Sequence, residues 1–343
     1  MYKTFFYSNV PEKQNDYISK TGPGKCMVDL SLILPPEPDD RWQLAKQMGV
    51  RSAVVHPLEI GDDQSEWTYD QLKGMVNWFE DAGISLDVLE GSVPLTDRIR
   101  LGQDGRDEDI ENFKRFIRDV GAAGIPVVCY DWMAGIRWAR TEAHVESRGG
   151  SLVTGYDDEK MRGGPKTDYT DVSRDQLWDA IEYFLTEVVP VAEEAGVKLA
   201  LHPADPPKES VRGVPRLAYS VENYDRILDI VDSEHNGVTF CQGNFSLMDT
   251  PVPEAIRHFG DRINFAHFRD VEGTPERFVE TWHDDGPTDM QEAMAAFEDV
   301  GFDGPMRPDH VPTMAGEDNS NPGYHTKGRL FAIGYMRGLL ESV

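Results

Sequence analysis

The sequence predicts an α/β fold, a (β/α)8 barrel of the TIM type, with an insertion after its fourth strand. Two observations carry this reading. Short apolar runs alternate eight times with stretches of helical periodicity, the pattern of a parallel sheet with crossover helices. Five helical stretches end in a glycine just before the next strand (Gly49, Gly83, Gly124, Gly196, Gly301), where a left-handed stop is expected. The rival is a doubly wound open sheet. It is disfavoured because no G-x-G-x-x-G follows the first strand, and no P-loop sequence occurs. No linker divides the chain, so residues 1–343 are expected to form one barrel domain.

In chain order, residues 1–24 are polar with scattered aromatics and give no clear element. CMVDLSLIL at 26–34 reads as the first strand, followed by a helix over 40–48. RSAVVHP at 51–57 is the second strand. The helix after it covers 69–82, with Leu72, Met75, Val76 and Phe79 at helical spacing. ISLDVLE at 84–90 is the third strand. A helix over 108–122 then carries Phe113, Phe116, Ile117 and Val120 on one face. IPVVCYDWM at 125–133 is the fourth. Residues 134–172 break the rhythm: rich in Gly, Arg, Asp and Ser, they read as an insertion lying over one end of the fold. The rhythm resumes with helix 174–195 and strand 197–203, then helix 220–232 and strand 237–244. Helix 252–259 and strand 262–270 follow. A helix near 288–299 leads into GPMRPDH at 304–310, and a last helix covers 327–340.

Composition limits the partners. The chain carries 34 basic and 61 acidic residues, a formal net charge of -27, and its basic residues are 12 Lys and 22 Arg. Such a surface repels nucleic acid and anionic membranes. The acid is spread along the whole length, which suits life in concentrated salt, where the Debye length falls to about 3 Å at 1 M. An ordinary acidic cytosolic protein is the plainer alternative. Three cysteines, Cys26, Cys129 and Cys241, argue against a disulfide framework. No apolar run approaches the ~18 residues of a membrane span. The N-terminus lacks a signal peptide's apolar core, so a cytoplasmic location is expected.

In a barrel, reactive residues gather at the C-terminal ends of the strands. His202 ends the fifth strand, Cys241 lies late in the sixth, His267 late in the seventh, and Asp309-His310 close the eighth. Four such residues from consecutive strands converge on one mouth, and His, Cys, His and Asp are each competent ligands for a divalent transition metal. Taken singly, a strand-end His is usually a hydrogen-bonded structural residue, a buried Cys a small hydrophobe, and Asp309 a cap for the next turn. Their corresponding positions in consecutive units favour the metal.

The C-terminal half resembles the mannonate dehydratase family. The resemblance rests on His202-Pro203-Ala204-Asp205-Pro206-Pro207, Gly213-Val214-Pro215-Arg216, Cys241-Gln242-Gly243-Asn244 and Arg262 to Arg269. It continues through His283-Asp284-Asp285-Gly286 with Asp289-Met290, and Arg307-Pro308-Asp309-His310. Gly316-Glu317, Pro322-Gly323-Tyr324, Gly328-Arg329-Leu330 and Ala332 to Leu339 complete it. These segments cover roughly 196–340 in order, and a weaker match lies at Cys129 to Met133 with Trp138 to Thr141. The sequence departs from the family at Ala204, where a second acid is common, at Asn244, where a small residue is common, and at Val311, where Gly is common.

The resemblance implies that His202, Cys241, His267 and Asp309 bind Mn2+ or Fe2+, with Zn2+ also compatible with such donors. It implies that His310 and Tyr324 act on the substrate. The implied reaction removes water across C2–C3 of D-mannonate and gives 2-keto-3-deoxy-D-gluconate. One group must take the C2 proton while another protonates the leaving C3 hydroxyl; Tyr324 is expected at C2 and His310 at the hydroxyl. Arg307, Arg269 and Arg329 are candidates for the substrate carboxylate, or for structural ion pairs. His283 is a further candidate for substrate contact, and His56, ending the second strand, could hydrogen-bond it. The partner expected is a small anionic sugar acid, and a homodimer is the expected assembly. The alternatives are a metal-dependent sugar isomerase or epimerase on a xylose-isomerase-like barrel, a dehydratase of a related aldonic acid, and a catalytically idle sugar-acid-binding protein.

Overall fold

The protein is described by a computed structural model covering residues 28–56, 67–91, 93–162, 169 and 171–343. Among them eight parallel strands form a closed barrel: β1 (Asp29–Ile33), β2 (Ser52–Val55), β3 (Ser85–Glu90), β4 (Val127–Asp131), β5 (Lys198–His202), β6 (Asn236–Cys241), β7 (Ile263–Phe268) and β8 (Pro305–Pro308). Each strand pairs with its sequence neighbours, and β8 pairs with β1 to close the ring. The crossover helices are α1 (Asp40–Gln47), α2 (Tyr69–Asp81), α3 (Arg106–Ala123), α4 (Arg174–Ala195), α5 (Val221–Leu228), α6 (Val252–Phe259), α7 (Met290–Asp299) and α8 (Thr326–Ser342). The expected barrel is therefore present. None of the described helices is long and apolar enough to cross a membrane.

Local chemistry sets the helix ends. Asp39, Thr68, Ser173, Ser220 and Asp289 each accept a hydrogen bond from a backbone N–H of the first turn, and Thr68 with Gln71 forms a reciprocal capping box. All five glycines read as helix stops have positive φ, between 68° and 96°.

Several boundaries differ from the sequence reading. The described part of the first strand is 29–33; Cys26, like Pro57, lies outside the described residues. The fifth helix ends at Leu228, not 232, because the Asn236 amide donates to the carbonyls of Ile227, Leu228 and Val231 and turns the chain. The last strand stops at Pro308. Pro308 has no N–H to extend the ladder, and His310 takes a left-handed φ of 41°. Asp309 and His310 thus stand in the loop beyond β8.

The region 134–172 is more regular than expected. It contains an antiparallel hairpin, Glu142–Glu146 with Leu152–Asp157, turning through Gly149 and Gly150 at positive φ. A second hairpin, Val271–Thr274 with Arg277–Glu280, leaves the C-terminal end of β7. Phe278 pairs with Tyr156 across the two, making one four-stranded sheet. Ala139, Tyr156, Val271 and Phe278 give this sheet a small apolar core of its own. Leu152 also bridges to Thr313 in the loop after β8. The accessory sheet therefore ties three loops of the barrel's C-terminal face together.

Inside the barrel, Ile33, Val54, Val88, Val127, Cys129, Ala200 and Phe265 pack as one cluster. The larger core lies between strands and helices. Phe184 of α4 is at its centre, fully buried, with ring centroids 5.2 Å from Phe113, 6.0 Å from Tyr130 and 5.2 Å from Trp132. Truncating it removes the common partner of three rings. Phe184→Ala is expected to cost about 3–5 kcal/mol, read as a lowered urea midpoint at unchanged slope.

Candidate active site

Strand register aligns the polar residues. His202 pairs with Asp131 on β4, Cys241 with His267, and His267 with Arg307. One ligand atom each of His202, Cys241 and His267 lies within 4.8 Å of the others, and all three residues are buried. Asp309 stands beside this trio, its Oδ2 3.7 Å from His267 Nδ1. The Arg269 Nε sits between, 3.3 Å from Cys241 Sγ and 3.1 Å from Asp309 Oδ2. Nδ1 of His202 faces the Pro203 carbonyl at 2.8 Å, which leaves Nε2 for another partner. Neither ring nitrogen of His267 makes an aligned hydrogen bond, although the residue is 1% exposed. Two imidazoles without a competing use for one nitrogen each, a thiol and a nearby carboxylate fit a divalent transition metal.

The buried arginines have carboxylate partners. Arg307 makes two bonds to Glu90, at 2.6 and 2.8 Å, and one to Asp309 at 2.7 Å. Arg269 grips Glu280 at 2.7 and 2.9 Å and donates to Asn244 Oδ1 at 2.6 Å. Arg140, from the segment after β4, bonds both oxygens of Asp205 at 2.7 and 3.0 Å and Glu280 at 2.7 Å. Burial alone would raise Glu90 and Asp309, but Arg307 and the neighbouring charges outweigh it and hold both carboxyls well below the usual range. Arg329 differs. Its Nη1 donates to the Ile33 carbonyl at 2.9 Å, its guanidinium lies 5.5 Å from the Tyr324 ring centre, and no carboxylate pairs with it among the described residues. His283 is 1% exposed, neither ring nitrogen has a hydrogen-bond partner, and burial pushes its pKa down to about 4.

His310 and Tyr324 meet. The Tyr324 hydroxyl is 3.3 Å from His310 Nε2, while His310 Nδ1 is 3.5 Å from Glu280. Gly323 makes this contact possible: a Cβ there would lie 3.2 Å from His310 Nδ1, and its φ is 86°. Burial lowers the His310 pKa against the opposing pull of Asp309, and burial raises that of Tyr324 well above 10. The imidazole is therefore held neutral and the phenol protonated.

Sequence reasoning brought His202, Cys241, His267, Asp309, His310 and Tyr324 to one mouth, and the structure gathers them there. It missed Glu90, Arg140, Asp205 and Glu280. Glu90 could have been found, as a charged residue closing a strand at the end where the other candidates stand. His56, the residue after β2, is 3.7 Å from Glu90, and its ring meets that of Tyr324 edge-on at 6.4 Å.

A closed parallel barrel with buried imidazole, thiol and carboxylate groups at its C-terminal face has the architecture of a barrel enzyme, and the comparisons narrow the class. The family model described as "D-mannonate dehydratase (UxuA)" matches residues 41–168 and 165–343. Mannonate dehydratase of Thermotoga maritima is 37% identical over 340 residues, covering 88% of this chain and 93% of that protein. The crystal structure of mannonate dehydratase from Streptococcus suis serotype 2 superposes with a TM-score of 0.85 at 32% identity, covering 92% of this chain and 93% of that one. A D-psicose 3-epimerase structure, at TM-score 0.59 and 14% identity over 91% of this chain and 99% of its own, shares the fold alone. The chain belongs to the mannonate dehydratase family.

Arg140 ties the accessory sheet to the barrel through two buried carboxylates. Arg140→Ala leaves Asp205 and Glu280 short of a partner and is expected to cost about 3–5 kcal/mol in equilibrium unfolding.

Proposed function

We propose that this protein dehydrates D-mannonate to 2-keto-3-deoxy-D-gluconate, using Mn2+ or Fe2+ held by His202, Cys241, His267 and Asp309. The observation that carries this reading is the trio of donor atoms within 4.8 Å, beside the His310–Tyr324 pair, in a chain of this family. A divalent metal at those donors supplies Lewis acidity to a carboxylate and its neighbouring hydroxyl, making the C2 proton easier to remove.

The remaining work falls to side chains. His310, neutral in its buried setting, takes the C2 proton. Tyr324, kept protonated, donates to the leaving C3 hydroxyl. Glu280 lies on the far side of the His310 ring, where its charge favours the imidazolium that forms. Arg329, with no carboxylate of its own, receives the substrate carboxylate; burial lowers its pKa to about 10, so it stays charged near neutral pH. His283 offers a neutral ring to a sugar hydroxyl. Arg307 and Arg269 act by holding Asp309 in place.

The decisive experiment incubates the protein with Mn2+ and a panel of aldonic acids and assays for 2-keto-3-deoxy product. D-mannonate is expected to give it. EDTA should abolish turnover, and Mn2+ should restore it. An isomeric sugar as product, or full activity in protein free of metal by elemental analysis, would refute the reading. Tyr324→Phe removes only the donated proton. It should retain metal and lose about 10²–10⁴-fold in kcat; loss of metal together with activity would make Tyr324 a structural residue.

A further inference from the structure

Glu90 ends β3 and is 5% exposed, yet the reaction proposed above gives it no part. Its carboxylate faces three groups. Arg307 holds both oxygens, His267 Nε2 lies 3.1 Å from Oε1, and His56 Nε2 lies 3.7 Å from Oε2. The other nitrogen of His267, Nδ1, faces Asp309 at 3.7 Å. The His267 ring is also confined by its surroundings. Phe265, two residues earlier on the same face of β7, stands perpendicular to it at 4.7 Å, and the His202 ring lies 5.1 Å away.

We infer that Glu90 is a positioning residue: it draws the proton of His267 to Nε2, and so presents Nδ1 to the metal. The inference rests on the proposed metal centre. A neutral imidazole has one protonated nitrogen, and the hydrogen bond made by that nitrogen fixes which one is free to ligate. An anionic carboxylate accepts only, so the nitrogen turned to Glu90 is the one that carries hydrogen. The 3.1 Å approach is oblique. His202 has the opposite arrangement, its Nδ1 engaged by the Pro203 carbonyl. The two histidines thus ligate through different nitrogens, His202 by Nε2 and His267 by Nδ1. Arg307 links the device to a third donor, because it bonds Glu90 and Asp309 together.

Glu90, Cys129 and His267 also bring ligand atoms within 4.8 Å of one another, which raises a second metal as an alternative. The surroundings disfavour it. Burial keeps the Cys129 thiol protonated, its sulfur 3.2 Å from the Thr239 hydroxyl, and Arg307 already neutralises Glu90.

The test uses the full chain, labelled with 15N-histidine, loaded with Zn2+ as a diamagnetic probe and followed by long-range 1H–15N correlation. The expected spectrum shows His267 protonated at Nε2 and zinc-bound at Nδ1, with His202 reversed. His267 bound through Nε2, in a protein that binds zinc and turns over mannonate with Mn2+, overturns this inference and leaves the proposed function standing. A chain that neither binds zinc nor dehydrates mannonate overturns both. Glu90→Gln adds a second readout: zinc affinity should fall about 10–100-fold while unfolding stays cooperative. An affinity within twofold of the parent overturns the positioning role. Should Glu90→Gln fail to fold, the tautomer of the parent protein still decides.

Discussion

The carboxylates of Glu90, Asp205, Glu280 and Asp309 are among those buried at the C-terminal face of the barrel, and each requires a cation close by. A buried charge without a partner costs several kcal/mol, so their pairing constrains everything around them. Arg307 serves Glu90 and Asp309, Arg269 serves Glu280 with Asp205 and Asp309 near it, and Arg140 serves Asp205 and Glu280. Every arginine in this set bridges at least two acids. The result is a continuous lattice running from β3 through β8 and β7 to the accessory sheet. His267 and His310 lie against it, and their ring orientations follow from it.

The accessory sheet belongs to the same logic. Arg140 stands just before its outer strand, and Glu280 ends an inner one. The packing of Tyr156 on Phe278, with ring centroids 5.7 Å apart, fixes the two segments relative to each other. The Arg140 guanidinium covers the Phe278 ring at 5.0 Å, so the same side chain joins the apolar core of the sheet to the charged lattice beneath. Departures from the family pattern fit into this frame. Asn244 bridges the Ala204 carbonyl and Arg269, and Val311 packs where Gly328 has no side chain: a Cβ on Gly328 would come within 2.7 Å of it.

Much of this was legible in the sequence. Strand–helix alternation and glycine stops located the barrel, because a (β/α)8 fold repeats one local signal eight times. The candidate donors were legible because each stands near or just past the end of an apolar strand. The accessory sheet was not. Its strands are four to six residues long, lie in polar stretches, and form two local hairpins that join only through the pairing of Tyr156 with Phe278, more than a hundred residues apart. Only the Gly149-Gly150 pair marked a turn there. The roles proposed for His310 and Tyr324 were equally hidden, since they rest on burial rather than on residue type. Arg307 could be read as a substrate ligand or a structural ion pair, and choosing between them required the position of Glu90.

The bond from Arg307 to Glu90 joins residues 217 apart in the chain. It crosses the seam where the last strand meets the first, since β8 reaches past β1 and β2 to β3. Contacts of such separation carry a large loop-closure entropy and form late in folding. Two of the four proposed donors, His267 and Asp309, therefore acquire their link to Glu90, direct or through Arg307, only when the ring shuts. A nascent or partly folded chain presents a thiol and an imidazole on β5 and β6, but not the oriented set. Correct closure of the barrel and competence of the mouth thus become one event, and an incompletely closed chain is also one that lacks a finished site.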